Sequence, residues 1–155
     1  MAVKEISNNL FFTNIRNIIN SGNSVELKIK GTSMHPTLLN GEHKVVVTSY
    51  QKQFLRVGII LLFVYKEKYI LHRLVSINEN QLILQGDNQP YSREYIEEKD
   101  IVGMVKYIIS PRGKITDCEK KRFFVKNRLW RPIQQYQLFF VRKIKGFFIK
   151  TLAYI

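Results

Sequence analysis

Cysteine is nearly absent from this sequence. One residue in 155, Cys118, excludes an internal disulfide and a cysteine-rich zinc site. No grouping of its histidines, its cysteine and its carboxylates has ligand spacing, so no metal and no other cofactor is expected. Long apolar runs are missing too. The longest, Val57 to Tyr65, is less than half of the ~20 residues that cross a bilayer. Lys4 and Glu5, followed by a mixed polar segment, do not read as a secretory signal peptide. The expectation is a cytoplasmic protein, or one lying peripherally at a membrane. Acids are scarce: 12 Asp and Glu against 25 Lys and Arg give a net charge of +13, which favours anionic partners.

What remains is enough for one domain. A hydrophobic content of 45 % supplies a core, and the plentiful aromatics argue against disorder throughout. Ile6, Leu10, Ile15, Ile18 and Ile19 recur at near-helical spacing before Ser21-Gly22-Asn23, which predicts an amphipathic helix over Val3 to Asn20. Only one helix fits before the next pattern begins, so a helix-turn-helix reader of DNA is not expected. Val25 to Ile109 is mostly β. Val25, Leu27 and Ile29 alternate with polar residues, Lys44 to Thr48 is β-like, and Gly58 to Tyr65 is apolar throughout, as in a strand covered on both faces. Further strands are predicted over Tyr69 to Ser76, Gln81 to Leu84 and Ile101 to Ile109. Short strands separated by turn signals predict a rolled or barrel-like sheet. The division is therefore 1–24 for the helix, 25–110 for the β core and 111–155 for a basic, aromatic helical extension. Two helices are expected in that extension, Glu119 to Trp130 and Pro132 to Ala153.

One stretch stands out, Gly31-Thr-Ser-Met-His-Pro-Thr-Leu-Leu-Asn-Gly-Glu42, lying between two strands. Ser33 alone would be an ordinary turn residue, His72 alone a half-buried strand histidine, and Asp87 before Asn88 an ordinary turn acid. Together, Gly-x-Ser-Met-x-Pro-Thr-Leu, then His72-Arg73-Leu74-Val75, then Gly86-Asp87-Asn88 resemble the signal peptidase I superfamily of serine peptidases, with the LexA-type self-cleaving repressors as more distant relatives. The resemblance covers Val25 to Val105 and implies a coiled β fold of the LexA and signal peptidase type. It also implies a serine endopeptidase that acts on an extended leader- or signal-type peptide and cleaves after small residues. Membrane-anchored signal peptidases carry a spanning helix before the serine, and none is seen here.

A serine hydroxyl needs a base within hydrogen-bond reach. Bacterial signal peptidases and the LexA relatives use a lysine in the corresponding strand. Lys68 lies four residues too early for that role, and Arg73 stays protonated. The His-Arg pair is similar to the endoplasmic-reticulum and archaeal type, so Ser33 is expected to be the nucleophile and His72 its base. By the same resemblance, Asp87 is the orienting acid and Asp100 the fallback; the second acid of the pattern would fall around Arg93, next to Glu94. The Ser33 N–H would serve the oxyanion. Many signal peptidases add a serine two residues before the nucleophile, where this chain has Gly31. Met34 reads as packing beneath the serine, His35 and His43 as surface residues, and Gly86 and Gly103 as backbone-geometry positions.

From Glu119 onward there are ten Lys or Arg residues and one acid, interleaved with Phe and Trp. That pattern suits an anionic membrane surface, or a helical hairpin with a solvated basic face. Nucleic acid is disfavoured for want of a recognition motif. Beside the peptidase reading stand a peptide-binding protein of the same fold that no longer cuts, a LexA-type self-cleaving regulator without its DNA-binding domain, and a basic membrane- or nucleic-acid-binding module.

Overall fold

The computed structural model of the chain describes residues 8–79 and 81–125. One helix, α1 (Asn8–Asn20), precedes eight strands: β1 (Val25–Lys28), β2 (Lys44–Thr48), β3 (Ile60–Tyr65), β4 (Lys68–Asn78), β5 (Gln81–Gln85), β6 (Glu94–Ile96), β7 (Ile101–Ile109) and β8 (Ile115–Asp117). They form a single sheet in the order β1-β2-β7-β3-β4-β5-β6, with β8 pairing to β7. Every pairing is antiparallel. The mostly-β fold class expected from the sequence is the one observed. Three register shifts, at Val46/Val47, Leu62/Phe63 and Leu74/Ser76, bend the strands that carry them, as bulges do in rolled sheets.

The sheet is covered on both faces, and β3 shows why its sequence is apolar throughout. Ile60 and Leu62 enter one core with Ile15 and Ile19 of α1 and with Val45, Val47 and Val105. Leu61 and Phe63 enter a second core with Leu74, Leu84, Ile96 and Met104. A central strand whose side chains alternate between two buried faces cannot carry the polar half of an alternating pattern.

The structure differs from the sequence reading at two places. β6 is three residues long, too short to leave a periodic signal. β8 extends the sheet past Ile109, so part of the stretch assigned to a helical tail is strand. Of the helix expected over Glu119 to Trp130, the stretch 121–125 is helical and 119–120 is not; everything past 125, and residues 3–7 of the first expected helix, lie outside the described residues.

Two consequences can be measured. The two-residue turn between β3 and β4 places Lys66 and Glu67 at φ 48° and 61°, a left-handed pair that side chains resist. Replacing Glu67 by Gly is expected to stabilise the fold by about 0.5–1 kcal/mol, read as a Tm rise of roughly 2 °C. Cys118 is buried at the end of the sheet. Burial pushes its thiol up to about 12, with Asp117 and Glu119 adding to the rise and Arg73 opposing it. At pH 8 the thiolate fraction would then be on the order of 10⁻⁴. Iodoacetamide should therefore spare the folded protein and label it rapidly in denaturant, as mass spectrometry would show.

Candidate active site

The loop that carries Ser33 runs from Ile29 to His43 and is closed on itself. The Ile29 and Gly41 N–H groups donate to the His43 and Ile29 carbonyls, at 3.0 and 2.8 Å. The Gly31 N–H donates to Asn40 Oδ1 at 2.9 Å, and the Leu39 N–H to His43 Nδ1 at 3.1 Å. Met34 and Leu38 are driven into the core beneath, joined by a bond from the Leu38 N–H to the Met34 carbonyl. Anchors on its C-terminal side leave Ser33 half-buried at the top of the loop. His35 is exposed, whereas His43 is half-buried and caps this loop instead of standing free on the surface.

The segment after β5 crosses over the loop. The Asn88 N–H donates to the Ser33 carbonyl at 2.8 Å, and Asn88 Nδ2 to the Thr32 carbonyl at 3.2 Å. Gly86 lies where the two segments meet. A Cβ built on it would stand 2.7 Å from the Ser33 carbonyl oxygen, 2.9 Å from Gln89 Oε1 and 3.0 Å from His72 Nε2. Only a residue without a side chain leaves room for that approach. The serine segment and the imidazole thus face the same bare patch of backbone.

His72 sits on β4 opposite Leu61 of β3 and is buried. Its Nδ1 lies 2.8 Å from Glu94 Oε2, and Glu94 is buried as well. Against an ionised carboxylate, which can only accept, Nδ1 is the donor, and Nε2 is the ring nitrogen that lies toward Gly86. Phe63 walls the ring, with centroids 6.3 Å apart.

The acid expected beside His72 is not the one found there. Asp87 instead holds Arg73 in a two-point grip, Nε to Oδ1 at 2.8 Å and Nη2 to Oδ2 at 2.7 Å. Strand parity is the reason. Leu74 pairs with Leu84 and Leu84 with Glu94, so Glu94 shares the face of Leu74 and of His72 two residues before it. Arg73 pairs with Gln85, and Asp87 follows Gln85 by two, on the other face. The fallback acid, Asp100, is engaged with the Glu97 N–H in a short helical turn. Glu94 was passed over because the family pattern puts its second acid at Arg93, one residue away, and β6 is too short to mark its own register; once that register is known, the parity finds it.

Arg73 is 1 % exposed, and its charge is answered on every side. Besides Asp87, it donates to the Gly58 carbonyl at 2.7 Å, and the Thr37 hydroxyl of the serine loop bonds the same Asp87 carboxylate. Phe123 lies 5.7 Å from its guanidinium. Arg56 stacks on Phe124 at 3.7 Å and donates to the Glu119 carbonyl, which docks the start of the C-terminal extension beside Gly58. One group nearby has no partner. Gln89 Oε1 is a buried oxygen without a hydrogen bond, held over Gly86.

Among the described residues no cluster of His, Cys, Asp and Glu is placed to hold a metal ion, and no helix is long and apolar enough to cross a membrane. The basic stretch expected to meet a membrane falls mostly on 126–155, outside the described residues. No curated protein matches the chain. The model of the Peptidase S24-like family matches residues 2–106, which take in the serine loop, His72, Asp87 and Glu94. Over two thirds of its length, then, this chain belongs to the Peptidase S24-like family, within the LexA and signal peptidase superfamily of serine-type peptidases.

Proposed function

We propose that the protein is a serine endopeptidase of the signal peptidase kind, cutting an extended leader- or signal-type peptide through an acyl-enzyme at Ser33. The observation that supports this most is the approach at Gly86. There a histidine oriented by a buried carboxylate turns its free nitrogen toward the serine segment. In the first step the Ser33 oxygen attacks the peptide carbonyl while His72 Nε2 takes the hydroxyl proton. Glu94 stabilises the imidazolium so formed. The tetrahedral oxyanion is met by the Ser33 N–H, and collapse expels the amine, which receives the proton from His72. Water then attacks the acyl-enzyme, giving a proton to His72; collapse releases the new C-terminal carboxyl group, and His72 returns the proton to the Ser33 oxygen. The hydroxyl that many signal peptidases place two residues before the nucleophile is absent at Gly31, so the Ser33 N–H is the oxyanion donor of this reading.

The lack of a hydroxyl at Gly31 also favours a second reading, a peptide-binding member of the family that no longer cuts.

Cleavage of a leader-type peptide, followed by mass spectrometry, decides between them. Ser33→Ala is expected to abolish cleavage, and His72→Ala to lower kcat/KM by roughly 10²–10⁴-fold. The rate should fall on acidification, because only neutral imidazole accepts the proton. Equal cleavage by wild type and both variants would refute the mechanism, and no cleavage by wild type would favour the binding protein.

The two acids should separate in the same assay. Glu94→Gln is expected to lower the rate by roughly 10²-fold or more in a protein that still folds. Asp87→Asn strips the buried arginine of its counter-charge and should cost about 3–5 kcal/mol in denaturant unfolding. The reverse pattern would return the orienting role to Asp87.

A further inference from the structure

Beside the serine loop lies a groove of about 490 Å3 that the peptidase chemistry does not use. Its near wall is Pro36, Thr37 and His43, all on the loop that carries Ser33. Its floor is apolar, formed by Ile108 and Phe123, both buried. Its far rim carries Lys114, Lys120 and Arg122. One carboxylate faces them: Asp117, 3.9 Å from Lys120 Nζ. Among the described residues Lys114 and Arg122 have no carboxylate partner, and both are exposed. The far wall lies wholly beyond residue 106, outside the stretch that the family model matches.

We infer that this groove binds an acidic segment of the peptide substrate, a few residues from the bond to be cut. This rests on the peptidase reading for its substrate and on charge and distance for the rest. Thr37 is four residues from Ser33, so at most ~14 Å of chain separates them, the span of about four extended residues. A peptide that lies across Ser33 and continues toward Thr37 would meet the groove by its fourth to sixth residue. There a cationic rim attracts Glu or Asp side chains, while the floor accepts apolar side chains between them. A net charge of +13 draws such a peptide toward the protein, and the rim of the groove determines where it settles.

The test uses the full-length protein and a fluorescent hexaglutamate peptide, with hexaserine as control, read by anisotropy. Hexaglutamate should bind with an affinity that falls as salt rises, and hexaserine should not bind. The double variant Lys114→Gln/Arg122→Gln should bind at least roughly tenfold more weakly. Lys66→Gln/Lys68→Gln, which removes the same charge at the β3–β4 turn, should bind as wild type does. Unchanged binding by the groove variant, or an equal loss in the control, overturns the proposal. So does groove-dependent binding of RNA or of phosphatidylserine vesicles with none of hexaglutamate. In the cleavage assay, a substrate with Glu at the fourth to sixth residue from the scissile bond should show a roughly tenfold higher KM in the groove variant, with kcat unchanged. Hexaglutamate binding does not need Ser33, so Ser33→Ala should retain it. Loss of the groove effect and loss of the peptidase reading are thereby read separately.

Discussion

A buried positive charge holds this site together. Placing a guanidinium in a core is costly, and the cost is met only when every donor is answered. Arg73 is answered by a carboxylate from the segment after β5, a carbonyl from the loop before β3 and, through that carboxylate, a hydroxyl from the serine loop. Those three segments are far apart in the chain, and they meet at this ion pair as well as through the Asn88 bonds to the serine loop and the backbone bonds between Gly58, Ile59 and Leu74. The ion pair is therefore a fastener. It fixes where the serine loop and the Gly86 segment stand relative to β4, with tolerances set by hydrogen bonds near 2.8 Å.

The neighbouring residue uses that fixed frame. In a strand, successive side chains leave on opposite faces, so the adjacent His72 and Arg73 meet different partners. His72 looks toward Glu94 and Gly86; Arg73 looks toward Asp87 and Phe123. Each has its own acid, and the two acids are not interchangeable, because each is delivered by the parity of a different strand. The docking of Phe123 and Phe124 near Arg73 and Arg56 also ties the region past the family match to the back of the site. Residues beyond the family match thus contribute a wall of the neighbouring groove.

Much of this was legible in the residues themselves. Alternation in Val25 to Ile29, the unbroken apolar run ending at Tyr65, and the helical spacing of Ile15 and Ile19 identified their elements, because burial imposes a period on the sequence. The motif around Ser33, the His-Arg pair and the Gly-Asp-Asn turn pointed to the family from short local patterns. Such patterns are readable because each is a short run of neighbouring residues, even where, as at Gly86, the contact it serves is distant in the chain.

What the sequence determined by itself was the set of groups available: one serine in an anchored loop, one histidine beside an arginine, few acids and a large positive charge. Which acid serves which base was decided only by tertiary structure. Asp87 and Glu94 differ by seven positions, and no local pattern tells which face of a coiled sheet each will reach. That depends on the pairing of β4 with β5 and of β5 with a three-residue strand that leaves no period of its own. Register is a long-range quantity, and a shift of one residue would exchange the two partners.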